Sequence, residues 1–130
     1  MRKIVLGAAL FLGMTGAAMA DPLLGTWATA KDDNGNYGHV EVSACGDALC
    51  GVLVRSFDSS GTEYASANLG KNIVWDMKPR GGGTYGGGKV WSPDRDQTYA
   101  SRMVLSGDTV TVKGCVLVIC RDGGTWTRVE

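Results

Sequence analysis

Apolar and polar residues alternate with a period of two through most of the chain beyond residue 20. In Tyr37–Ala44, for example, Val40, Val42 and Ala44 fall on one face and His39, Glu41 and Ser43 on the other. A half-buried β-strand produces this pattern because successive side chains point to opposite faces of a sheet. No segment shows a convincing helical period of 3.6. The alternation predicts eight strands: Leu24–Lys31, Tyr37–Ala44, Gly51–Phe57, Asn72–Met77, Thr84–Trp91, Thr98–Leu105, Thr109–Cys115 and Gly124–Val129. Between the first two lies "DDNGN", where Asn34-Gly35 suits a hairpin turn that needs positive φ. "CGDALC", "SPDRDQ" and "SGD" reverse the chain again, and "KPRGGG" reads as a loop. "DSSGTEYASANLGKN" is a looser connection, long enough for one helical turn or a lid. Gly86, Gly87 and Gly88 inside the fifth strand predict a sharp bend or a close backbone approach. Consecutive hairpins of this kind predict an all-β fold, a small up-and-down antiparallel barrel that closes on itself and leaves no exposed edge. A β-sandwich is the other arrangement compatible with the same signals.

The chain opens differently. Arg2 and Lys3 precede the apolar run "IVLGAALFLGM", and "AMA" at Ala18–Ala20 has the small-x-small form of a cleavage site. Residues 1–20 therefore read as a cleaved signal peptide, and 21–130 as a single β-barrel domain. The apolar run is shorter than the roughly 20 residues a membrane span needs. No cysteine follows the cleavage site to carry a lipid, so no stable membrane anchor is expected. The short, alanine-rich leader has a bacterial look and points to the periplasm.

Charge narrows the choice of partners. Lysine and arginine total 13 against 13 aspartates and glutamates, and loss of Arg2 and Lys3 with the leader would make the chain slightly acidic. Nucleic acid binding calls for a basic patch, and none is visible. The 20 glycines favour a turn-rich β protein.

The cysteines offer three chemistries. Cys45–Cys50 and Cys115–Cys120 share one spacing. Zinc knuckles use thiolates near this spacing, but "VLVI" between the second pair is apolar where a knuckle wants glycine or polar residues. Redox thiols usually sit in C-x-x-C at a helix start. In an oxidising compartment, disulfides are the expected outcome. A hairpin tip brings Cys45 and Cys50 within bridging range, so Cys45–Cys50 and Cys115–Cys120 are the predicted pairs. Crossed pairing, Cys45–Cys115 with Cys50–Cys120, is the rival.

Other chemistry is thin. His39 is the sole histidine and shares a strand face with Glu41, a pairing more typical of a solvated surface than of catalysis. Neither G-x-S-x-G nor H-E-x-x-H occurs. Asp32, Asn34 and Asn36 alternate in the manner of calcium ligands, but an EF-hand requires glycine where Tyr37 stands. "GTYGGGK" lacks the Ser or Thr that completes a phosphate loop. No catalytic residue, metal or cofactor is predicted. Aromatic and flexible apolar residues are the better functional signal. Trp75 and Met77 are expected on one strand face, and Tyr99, Met103 and Leu105 on another. Trp75, Met77, Trp91, Tyr99, Met103 and Trp126 are therefore predicted to line an apolar ligand cavity, with Arg55, Tyr85 and Arg102 as polar anchors. A plain packed core is the alternative role for the same residues.

Five blocks, "GTW", "CGDALCG", "GGKVWSPDRDQTYASRM", "VKGCVLVICR" and "TWTRV", occur in an order that resembles the bacterial secreted family known as domain of unknown function 2147. The family resembles lipocalin-like, or calycin, barrels, and Gly25-Thr26-Trp27 is similar to the G-x-W signature that opens the first lipocalin strand. The resemblance implies that Trp27 packs at the closed end of a barrel beneath an arginine of the last strand, with Arg128 the candidate and Arg121 the alternative. Both partners would be structural. The implied function is binding of a small apolar or amphipathic ligand. "SGTEY", Ser60–Tyr64, matches the S-G-x-x-Y pattern of periplasmic lysozyme inhibitors, which supplies the rival: a protein-binding module that blocks a hydrolase such as a lysozyme or protease.

Overall fold

The computed structural model describes residues 20–130. The predicted leader lies outside the described residues except for Ala20. All regular elements among the described residues are strands: β1 (Gly25–Ala28), β2 (Tyr37–Cys45), β3 (Ala48–Phe57), β4 (Glu63–Tyr64), β5 (Asn72–Gly81), β6 (Thr84–Ser92), β7 (Gln97–Ser106), β8 (Thr109–Val116) and β9 (Ile119–Arg128). Apart from β4, each strand pairs antiparallel with the next along the chain, and β9 returns to β1 through Trp27↔Arg128 and Ala28↔Thr127. The result is a closed eight-stranded up-and-down barrel. The two-residue β4 is a flap laid on the end of β3, pairing through Ser56↔Tyr64 and Phe57↔Glu63.

β1 is shorter than the expected Leu24–Lys31, and three strands run well beyond what alternation predicts. β3 starts at Ala48, β9 at Ile119, and β5 continues through "KPRG", where a loop was expected. Pro79 sits opposite Tyr85 of β6. It is tolerated because the register of β5 with β3 reaches only as far as Met77. The missing N–H of Pro79 therefore removes no ladder bond on that side. The connection between β3 and β5 holds β4 and turns rather than a helical turn. Asp58 organises its first part: one carboxylate oxygen accepts the Ser60 and Thr62 N–H groups and the Ser60 hydroxyl. These bonds, the Ser60 hydroxyl first, hold the Asp58 carboxyl below its ordinary value.

The hairpins define two ends. The turns at 46–47, 82–83 and 107–108 lie at the lower end. The 116–119 tip and the connections at 32–36, 58–71 and 93–96 lie at the upper rim. Residues 21–24 cross the lower end. Leu23 is fully buried there, and the Tyr85 hydroxyl donates to Asp21 at 2.6 Å. Burial and then this carboxylate push the Tyr85 phenol well above its usual range.

Side chains fill the barrel. Trp27, Val40, Met77, Met103 and Val110 have no measurable exposure. Glycines mark where the walls crowd the axis. A Cβ on Gly51 would lie 2.7 Å from Val40 and 3.0 Å from Val74, and one on Gly88 would strike Met77 and the Trp75 carbonyl. This is the close backbone approach predicted for the glycine run of the fifth expected strand.

Candidate functional site

One residue rearranges the expected ligand cavity. Between the pairs Gly51↔Val74 and Leu49↔Met77, β3 advances by two residues and β5 by three. The extra residue makes a β-bulge, with Asp76 in the left-handed region at φ 57°. Aspartate tolerates that conformation better than most side chains. The bulge reverses the facing of everything beyond it. Val74 points inward and Trp75 outward, but Met77 points inward again, against Gly88. Trp75 and Met77 therefore lie on opposite faces of β5, not on the shared face that strict alternation predicts.

The six predicted lining residues separate. Met77, Met103 and Trp126 are buried in the packed core, with Trp126 only 4% exposed. Tyr99 is half-buried near the upper rim, its ring beside Gly114 and its hydroxyl donating to Gln97. Trp75 and Trp91 turn to the outside. Of the predicted anchors, Tyr85 is buried, whereas Arg55 and Arg102 are exposed.

On that outer wall, running over β5, lies a cleft of about 440 Å³. Trp75 and Trp91 contribute its apolar surface, and the Cys45–Cys50 disulfide forms one side. Lys71 and Asn72 lie toward the rim, with Asp76 and Thr98 completing the lining. The Lys71 ammonium sits 5.1 Å from the centre of the Trp91 ring, within cation–π range. The Trp91 indole N–H donates to Asp96 at 3.0 Å, which fixes the ring. Among the described residues Asp76 has no ion-pair partner. The cleft thus combines two aromatic faces, one cation, one carboxylate and an amide. Sequence reading missed Lys71, Asn72, Asp76 and Thr98. The available signal was "IVWDM", where three apolar residues in a row followed by aspartate break the period of two and mark a bulge.

The remaining expected residues fall at defined places. All four cysteines are in disulfides, Cys45–Cys50 and Cys115–Cys120. The Arg128 guanidinium lies 4.3 Å from the centre of the Trp27 ring. It also donates to the carbonyls of Pro22 and Leu24 and pairs with Asp108. Trp27 donates its indole N–H to the Leu23 carbonyl. This cluster ties the crossing segment, β1 and β9 together at the lower end. Arg121 is exposed, near the opposite end. His39 packs beside Phe57, which stacks on Tyr37. Partial burial, and then the neighbouring Arg55 charge, lower the His39 pKa. Among the described residues, no three His, Cys, Asp or Glu side chains lie together as metal ligands would, and no helix is long and apolar enough to cross a membrane.

Comparison with known proteins agrees with this architecture. No curated protein matches the chain. Among solved structures, protein HP1028 from the human pathogen Helicobacter pylori, described as belonging to the lipocalin family, is similar at 16% identity. The match covers 85% of this chain and 85% of that one, with a TM-score of 0.64. A likeness at that identity is one of fold: both are lipocalin-like barrels. Residues 25–128 match the family described as an uncharacterized protein conserved in bacteria, DUF2147. That match runs from the first barrel strand to the last, and the chain belongs to the DUF2147 family of bacterial proteins.

Proposed function

We propose that this protein binds a small amphipathic molecule, and that it does so in the outer cleft rather than along the barrel axis. The observation that carries the reading is the pairing of Trp75 and Trp91 in a cleft of about 440 Å³ beside a barrel whose axis is packed with Met77, Met103 and Trp126. Small-molecule sites occupy about 300–1,000 Å³ and combine apolar walls with a few polar groups. An apolar or planar body would lie against the two indoles, with its polar group toward Lys71, Asn72 or Asp76. Titration with the fluorescent probe 1-anilinonaphthalene-8-sulfonate tests this. Saturable binding is expected, weakened at least about tenfold by Trp75→Ala and by Trp91→Ala, the loss of one aromatic contact. Unchanged binding in both variants overturns the cleft assignment. Absence of saturable probe binding, together with absence of any co-purified small molecule by native mass spectrometry, overturns the ligand reading itself.

A second reading, a hydrolase inhibitor, is supported by the Ser60–Tyr64 turn, which is exposed at the rim and held rigid by Asp58. It requires that the protein slow a lysozyme and that Ser60→Ala or Tyr64→Ala relieve the effect. We also infer export to the periplasm with removal of residues 1–20. Two disulfides and membership of a bacterial family support it. Fractionation with N-terminal sequencing would read Asp21 as the first residue.

A further inference from the structure

The β8–β9 hairpin ends in four consecutive aliphatic residues that face solvent. Leu117 and Val118 are 93% and 94% exposed, and Val116 and Ile119 are 61% and 64% exposed. Folding buries almost none of Leu117 and Val118 and only part of Val116 and Ile119. The turn itself is ill suited to its residues. Leu117 has φ 58°, a conformation in which a Cβ crowds the following carbonyl and which hairpins normally assign to glycine or asparagine. The tip is nevertheless held firmly, because Cys115 and Cys120 face each other in the ladder with Cα atoms 4.0 Å apart and are disulfide-bonded. It also projects. The register with β7 ends at Ala100↔Cys115, and β9 pairs with β1 only at Thr127 and Arg128. A rigid apolar point, exposed and placed on a strained turn, is a feature that folding does not explain.

We propose that this tip docks the barrel on a lipid bilayer, with Leu117 and Val118 entering the acyl region and Val116 and Ile119 resting at the interface. The tip carries no aromatic ring and no side-chain hydrogen-bonding group, so it offers nothing for directional recognition. Protein interfaces concentrate their energy in Trp, Tyr and Arg, with Leu and Val under-represented. Behind the tip stand Arg102, Lys113 and Arg121 against the single carboxylate of Asp122, with Lys113 opposite both Arg102 and Asp122. Among the described residues none of the three cations is in an ion pair. Of the other carboxylates on the upper rim, Asp32, Asp58, Asp94 and Asp96 accept hydrogen bonds from their own turns or from Trp91, and Glu63 pairs with Arg55, which leaves Asp33 facing solvent. The collar behind the tip thus favours anionic headgroups. The preformed hairpin pays little ordering entropy on insertion. Two inserted side chains make the attachment shallow and reversible, as single weak anchors are.

Every strand among the described residues and both disulfides lie within residues 21–130, so that segment, without the apolar leader, suits a vesicle flotation assay. The expected result is flotation with vesicles of phosphatidylcholine and phosphatidylglycerol, and weaker flotation with phosphatidylcholine alone. Leu117→Gly with Val118→Asn should reduce binding at least about tenfold while the melting temperature holds or rises, because of the two turn residues only the first has positive φ, the place that suits glycine. Lys113→Gln with Arg121→Gln should weaken binding to the anionic vesicles only. Absence of flotation with both vesicle types overturns the proposal, as does equal flotation of the tip variant. A concentration-dependent dimer that the tip variant abolishes, without flotation, assigns the tip to a second copy of the chain and overturns it too.

Discussion

Cys45–Cys50 and Cys115–Cys120 each bracket four residues, yet the hairpins they close sit at opposite ends of the barrel and are built differently. In the lower hairpin Cys45 faces Ala48 and Cys50 faces Ser43, so the disulfide runs diagonally, with Cα atoms 5.8 Å apart. Its turn is Gly46-Asp47. Gly46 takes φ 68° without strain, Asp47 is exposed and pairs with Lys78, and Ala48 and Leu49 are buried immediately afterwards. In the upper hairpin the cysteines are directly opposed, and the turn falls on Leu117-Val118. One spacing thus supports two registers, and the turn chemistry separates them. The lower hairpin has a polar turn and sends its apolar residues inward. The upper one has apolar residues at the turn itself and leaves them in solvent. The first is built for the barrel, the second for something outside it.

The sharpest way to break this contrast is to truncate one leucine in each hairpin. Leu49→Ala should destabilise by about 2–5 kcal/mol, the range for deleting a buried leucine. Leu117→Ala should change stability by no more than about 0.5 kcal/mol, as exposed sites do. Urea unfolding of both variants decides the matter, and equal losses would show that the upper tip is packed after all. Next in size are the staples. Each closes a six-residue ring, worth about 2 kcal/mol in the chain-entropy model. Cys45→Ser/Cys50→Ser and Cys115→Ser/Cys120→Ser should each still fold and melt earlier. An unchanged midpoint for either pair removes that bridge from the list of stabilising features. The smallest effects concern the turns and have opposite signs. Gly46→Ala should cost about 1–2 kcal/mol through backbone strain alone, since a Cβ there meets nothing within 4 Å. Leu117→Gly/Val118→Asn should gain about 0.5–1 kcal/mol by relieving the same kind of strain at the one turn residue with positive φ. Thermal melts of the two variants shifting in the same direction would refute the contrast.

The same divide between local and non-local information runs through the candidate site. Alternation located eight strands close to their observed positions, and "DDNGN" and "SGD" turned where their glycines predict. Trp75 and Trp91 were legible as residues worth singling out. The facing of Trp75 relative to Met77 was not, because Asp76 inserts one residue into β5 and a period-two reading cannot absorb it, and β6 has its own register shift, between Tyr85 and Gly88, ahead of Trp91. Lys71 was equally hidden. It reaches the Trp91 ring only because the 58–71 connection is drawn back to β3 through the Gly70 and Leu53 hydrogen bonds.

Read alone, the residues specified the all-β class, the hairpin order and the cysteine spacing, and the resemblance to lipocalin-like barrels added the candidate partnership of Trp27 with Arg128. These depend on side-chain alternation, on turn residues that tolerate positive φ, and on motifs a few residues long. Closure of the barrel supplied the rest. It filled the axis with Met77, Met103 and Trp126 and turned Trp75 and Trp91 outward against a disulfide. It also left the Leu117-Val118 tip beyond the rim. Concavity and exposure depend on which strands curve around which side chains, and that information is shared among residues far apart in the chain.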